Sequence, residues 1–143
     1  MSLTVALLAA TAPIMVMSNV ETPAVVVQRL LEASAKEDWP TVLAMLTADA
    51  QLGMGDVGGP LNKETVSILG VLEKNGCRIT STHETDQRDR VQSDIRFVDV
   101  KRMCPYGSAS DRSGEHELIC TYFVKGEKIA GFYLHLKAAP PPP

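Results

Sequence analysis

This chain lacks an excess of basic residues, and that removes two classes of partner. Its 14 Lys and Arg face 17 Asp and Glu across 143 residues, a formal charge of −3, and the two signs are interspersed. Such a distribution builds neither a phosphate-tracking surface nor a polybasic membrane patch, so nucleic acid is excluded as a partner. Metal motifs are also missing. The histidines stand far apart at His83, His116 and His135, and neither HExxH nor CxxC occurs. Gly53, Gly55, Gly58 and Gly59 are not followed by the lysine and helix of a phosphate loop and are read as turn residues. There is no internal repeat, no sign of a second domain, and no motif that calls for a cofactor.

Charge is absent altogether from Met1 to Val20, and Leu3 to Met17 is almost wholly apolar. The run is short for a membrane span and Pro13 interrupts it, but it matches the apolar core of a signal peptide. Cleavage fits after Ala12 or after Ser18, although the usual positive n-region is lacking. No cysteine follows the run, so a lipoprotein anchor is not indicated. Residues 1–18 are therefore expected to be a signal peptide, leaving a periplasmic or secreted protein with no stable membrane span after processing. The alternative is a cytoplasmic chain whose apolar arm packs on its own domain or on a partner. At the other end, Pro140 to Pro143 cannot donate backbone hydrogen bonds and are expected to hang free as a disordered tail over residues 138–143.

Cysteine is scarce as well. Three cysteines in an oxidising compartment allow one disulfide and leave one thiol. Cys104 and Cys120 flank a turn over Pro105–Gly114 at nearly symmetric distances, which makes them the candidate pair across adjacent strands. The alternative has all three thiols reduced and buried.

Residues 22–137 carry the domain, and the chain's 45% hydrophobic content is enough for a sizeable core. Thr22 and Pro23 start a helix, whose stripe of Val27, Leu30, Leu31 and Ser34 runs to about Lys36. Asp38 caps a second short helix ending in Leu46-Thr47-Ala48-Asp49-Ala50, with Trp39 expected to plug the junction of the two. Gln51 to Met54 is a short strand, Gly53 to Pro60 a loop, and Asn62 the cap of a third helix that stops at Asn75-Gly76. Beyond Gly76 the period becomes two, with strands over Cys77–Thr85, Val91–Met103, Glu117–Val124 and Lys128–Lys137. Helices followed by antiparallel strands define an α+β fold, a curved antiparallel sheet packed with three N-terminal helices.

The order and spacing from Ala24 to Gly55, AVVVQRLLEASAKEDWPTVLAMLTADAQLGMG, resembles the opening of the nuclear transport factor 2-like superfamily, and the likeness extends to about Lys137. The resemblance implies a cone-shaped sheet around a pocket. Within that superfamily the ketosteroid isomerase type uses a helix tyrosine and a protonated aspartic acid as oxyanion donors, with an aspartate as base. Aligned by spacing, those positions fall on Leu30, near Cys120, and on Met54. None of these residues supplies that chemistry, and Asp56 is the one nearby carboxylate. SnoaL-like polyketide cyclases place an Asp or His in the same cone. A hairpin closing on Gly126-Glu127 would set Cys120 opposite Tyr133 and Leu118 opposite His135. Leu118, Cys120, Tyr122, Tyr133 and His135 would then share one face, and Ile119, Thr121, Phe123, Phe132, Leu134 and Leu136 the other.

The pocket candidates are therefore Leu30, Met54, Asp56, Cys120, Tyr122, Tyr133 and His135. The expected function is non-catalytic binding of a small apolar or amphipathic molecule by a homodimer that pairs through its sheet. One alternative is an isomerase, lyase or cyclase-like enzyme using His135, Tyr133 or Asp56. The other is an interaction module whose cavity is filled by side chains such as Met45, Met54 and Trp39.

Overall fold

The computed structural model describes residues 21–88, 91–105 and 115–135. The signal-peptide segment, the Pro105–Gly114 turn beyond Pro105, Leu136 and the Pro-rich tail lie outside the described residues. Helix α1 spans Pro23–Ala35, and the Thr22 hydroxyl accepts from the backbone N–H of Val25 at 3.3 Å. It ends where Glu37 adopts a φ of 56°. Asp38 then caps the short helix α2 (Trp39–Ala44), its carboxylate accepting from the N–H of Thr41. Both starts follow from a polar cap with proline in the first turn.

Strand β1 covers Leu46–Met54, so the stretch from Leu46 to Ala50 is extended rather than helical. The cause is tertiary. Leu46 pairs with Ile129 across a parallel ladder, and the N–H of Ile129 donates to the carbonyl of Met45 at 2.8 Å. A register shift lies between Leu46 and Gln51, and Leu46 and Ala50 are both buried. Their four-residue spacing fits a bulged strand as well as a helix. The expected glycine loop is partly a strand, β2 (Val57–Pro60), folded back on β1 about Gly55 at φ 60°. Pro60 is tolerated there because β2 is the edge of the sheet. The third helical segment is a 3-10 turn, Val66–Gly70, running into the one-turn helix α3 (Val71–Lys74), which Gly76 stops at φ 82°.

Strands β3 (Arg78–Arg88), β4 (Ile95–Pro105), β5 (Glu115–Lys125) and β6 (Lys128–His135) complete a six-stranded sheet ordered β2-β1-β6-β5-β4-β3. Only the β1–β6 pair is parallel. The inner face carries Val98 and Val100 of β4, Cys120, Tyr122 and Val124 of β5, and Phe132 and Leu134 of β6. The helices close this face with Val26, Val27, Leu30 and Leu31. Trp39 packs against the core as expected and lies over Gly70, where an added Cβ would sit 2.9 Å from its ring.

The β5–β6 register corrects the expected faces. Cys120 pairs with Leu134 and Thr121 with Tyr133, because one extra residue of β6 sits between the Phe123–Gly131 and Val124–Ile129 pairs. A one-residue bulge moves every later side chain of β6 to the other face. Tyr133 and His135 therefore share the outer face with Thr121 and Phe123, and Phe132 and Leu134 join Cys120 and Tyr122 inside. The glycine that follows the extra residue is tightly enclosed. A Cβ on Gly131 would lie 2.7 Å from Phe123 Cδ2 and 3.0 Å from the backbone oxygen of Gln51. Gly131→Ala is expected to cost about 1–3 kcal/mol through overpacking. Gly59→Ala, which would meet nothing within 4 Å, should be nearly neutral. Urea midpoints of the two variants check this, and equal midpoints would contradict it.

Candidate functional site

One side of α1 is buried in the core and another is left open. Ala24, Gln28, Leu31 and Ala35 follow each other at four-, three- and four-residue intervals, which places them along one helical face. With Val25 and Glu32 they form one wall of a cleft of about 630 Å³. Cys77, Ile79 and Thr82 of β3 and its lead-in form the opposite wall, and Glu73 and Arg102 complete the lining. Val25 and Ile79 are exposed apolar side chains at its mouth. This volume lies within the usual range for small-molecule sites.

Arg102 carries the chemistry of the cleft. The buried inward positions of β4 read Val98, Val100, Arg102 and Cys104, and the Arg102 guanidinium is the one charge among those four. Only 1% of the residue is exposed, and Nη1 lies 2.8 Å from Oε1 of Glu73. The contact is an ion pair without good hydrogen-bond alignment. Among the described residues, Nε, Nη1 and Nη2 of Arg102 and Oε2 of Glu73 have no aligned partner. Burial works against the charge on Arg102, but Tyr122 and Glu73 more than offset it and hold the pKa above its ordinary value.

Tyr122 and Cys120 stand beside the guanidinium on the inner face. Burial raises the Tyr122 hydroxyl, against a smaller pull from Arg102. Burial likewise pushes the Cys120 thiol up to about 11, with Arg102 again opposing. A buried protonated thiol is a poor nucleophile, so Cys120 in the native protein should resist iodoacetamide at about pH 8. Since its folded pKa lies above the unfolded value of 9.0, its contribution is intact below about pH 9 and is lost as pH rises toward about 11. Urea midpoints across that window should fall more steeply for the wild type than for Cys120→Ala. Parallel curves would count against the assignment.

The expected Cys104–Cys120 disulfide is corrected. Cys104 is bonded to Cys77, with Cα atoms 4.2 Å apart, and Cys120 is free and buried. Register explains the choice. Cys104 pairs with His116 and Cys120 with Val100, so the two cysteines are four residues out of step on adjacent strands. On the other side of β4, Arg78 pairs with Met103, which brings Cys77 directly opposite Cys104.

The seven pocket candidates do not converge. Leu30 is wholly buried in the core. Met54 packs against the core from β1, at the other end of the sheet from the cleft, and Asp56 is exposed in the β1–β2 turn. Cys120 and Tyr122 lie next to Arg102. Tyr133 and His135 are on the outer face, where the Tyr133 hydroxyl donates to the carbonyl of Gly55 at 3.0 Å and its ring meets His135 edge-on. Thr121 Oγ1 donates to Asp99 Oδ1 at 2.6 Å and lies 2.8 Å from His135 Nε2. Sequence reasoning missed Arg102 and Glu73. The available signal was a charge standing between Val100 and Cys104 in the inward row of an alternating strand.

Three helices on the inner face of a curved, unclosed and mostly antiparallel sheet, with a cleft beside the first helix, make this a nuclear transport factor 2-like cone. The fold is shared with a candidate ketosteroid isomerase from Shewanella frigidimarina, at a TM-score of 0.58 and 16% identity over 81% of this chain and 97% of that one. It is also shared with an NTF2-like protein with a cystatin-like fold from Novosphingobium aromaticivorans, at 0.54 and 12% over 92% and 90%. A candidate polyketide cyclase from Xanthomonas campestris gives 0.53 and 15% over 78% and 87%. Neither a protein-family model nor a curated protein sequence matches the chain. At these identities the likeness shows the fold, and function has to be argued from the cleft.

Proposed function

We propose that this protein binds a small amphipathic molecule in the cleft between α1 and β3 without transforming it. The observation that carries the reading is the combination of apolar walls, exposed at Val25 and Ile79 and backed by buried Leu31, with a buried ion pair at the floor. An apolar body and one or two convergent polar contacts are what a ligand site of this size requires. The Cys77–Cys104 bridge supports export to an oxidising compartment, periplasmic or extracellular, in keeping with the apolar N-terminal run. The outer face of β4 to β6, where Phe97, Phe123 and Tyr133 are half-buried, is the proposed homodimer surface. Sedimentation of the wild type and of Phe123→Lys tests that pairing, and a wild-type monomer would remove it.

Nile red is the test probe for the cleft. It should bind the folded wild type at a single site, and Gln28→Trp or Thr82→Trp, from opposite walls, should each abolish binding. Lys63→Trp, at an exposed position outside the cleft lining, should leave binding unchanged. Binding that survives both wall variants would show that the probe sits elsewhere and end this reading.

A further inference from the structure

The geometry points to a ligand with a neutral head group that both accepts and donates hydrogen bonds, such as a primary carboxamide, carried on an apolar body. This inference rests on the α1–β3 cleft being the binding site and specifies what that site selects.

Three ionised groups line the cleft, Glu32, Glu73 and Arg102, for a net charge of −1 before any ligand enters. Gln28 and Thr82 add polarity without charge, and Gln28 Nε2 donates to Glu32 Oε1 at 3.4 Å on the α1 wall. A carboxylate ligand approaching Arg102 would be the third carboxylate in the cleft, after Glu32 and Glu73, and the second beside the guanidinium. Glu73 is already 2.8 Å from Nη1, so the newcomer gains little attraction and meets repulsion from two acids. An ammonium head would have to settle against the buried guanidinium at the floor. Both charged classes are therefore disfavoured by the same pair.

A neutral donor–acceptor head fits the floor instead. The Arg102 nitrogens offer N–H groups that the ion pair leaves unaligned, and Glu73 Oε2 is a buried acceptor without an aligned partner among the described residues. A carboxamide oxygen accepts from Arg102 while its NH₂ donates to Glu73, so one group satisfies atoms of both signs. Buried polar atoms are costly to leave unmatched, so a floor that holds both kinds discriminates against heads that match only one. The walls contribute area but little choice, since Ala24, Val25, Leu31, Ala35 and Ile79 are aliphatic.

Displacement of Nile red by four compounds with the same body tests the head-group preference: phenylbutyramide, phenylbutyrate, phenylbutylamine and butylbenzene. The amide is expected to displace the probe from the wild type at concentrations about tenfold below the other three. Glu73→Gln removes one negative charge and should shift the preference toward phenylbutyrate, while the double variant Arg102→Met with Glu73→Leu should bind all four within about twofold. Thermal melting confirms that each variant is folded, and if the double variant is not, the swing in Glu73→Gln decides. Tightest binding of the acid or amine by the wild type overturns the proposal, as does a preference unchanged in Glu73→Gln. Equal binding of all four leaves the cleft as a ligand site and removes only the head-group inference. No binding of Nile red or of any of the four removes both.

Discussion

Cys104→Ala is expected to lose about 3–4 kcal/mol of stability, because the bridge it breaks closes a loop between residues 27 apart in sequence. The same loss should follow addition of reductant to the wild type, and reductant should then have no further effect on the variant. Cys120→Ala removes only a small buried thiol and should cost about 1 kcal/mol. Urea midpoints with and without reductant separate the two cysteines. A large loss for Cys120→Ala, or a reductant-insensitive wild type, would contradict the Cys77–Cys104 pairing, and peptide mapping without reduction reads the pairing directly. Cys77 also lines the cleft. Opening the bridge therefore frees the β3 wall from the end of β4 and should weaken ligand binding as well as stability.

Leu30→Ala is expected to destabilise by about 2–5 kcal/mol. Leu30 is fully buried on α1, in a cluster with Val26, Val27, Tyr122 and Phe132. Truncation loses the transfer energy of the removed carbons and leaves a void that the sheet beneath can only partly close. Val25→Ala, one exposed wall of the cleft away, should be nearly neutral for folding while lowering Nile red affinity. Equilibrium unfolding of both variants checks the contrast. A Leu30→Ala cost below about 1 kcal/mol would mean that α1 is not seated as described. The result also bears on chemistry. The position that resembles the tyrosine of the ketosteroid isomerase type is spent on packing, and the polar groups of this chain meet elsewhere, at Arg102.

The parts of the fold legible in sequence are those governed by neighbours along the chain. Thr22 with Pro23, Asp38 with Pro40, and Asn75-Gly76 each mark a helix end through a cap, a restricted φ or a permitted one, and each does so in the structure. The alternation of β4 and β5 and the tight turn after Lys125 are local in the same sense. Elements that depend on a distant partner were not legible. Leu46 to Ala50 has helical spacing but extends because β6 offers it a parallel ladder. The glycines before Pro60 pair as an edge strand because β1 is there to receive them.

The candidate site divides in the same way. Cys120 and Tyr122 stand beside the charged group at the cleft, and strand period alone is enough to place them on the inward face. Tyr133 and His135 were placed with them by an unbroken hairpin, and one bulge before Gly131 carries them to the opposite face. Cys104 was given the wrong partner because symmetric distance from a turn does not fix register. Arg102 is not legible in sequence because its importance comes from burial, which is a property of what packs above it.

By itself, then, the sequence determined the α+β order, the helix ends, the absence of a basic surface and the loss of the ketosteroid isomerase residues. All of these depend on residue identity or on spacings of a few positions. Only the tertiary structure decided the cysteine pairing, the two faces of β6 and the meeting of Glu73 with Arg102. Each of these turns on strand register or helix seating, where a shift of one residue exchanges inside for outside and no local spacing records which way the chain has settled.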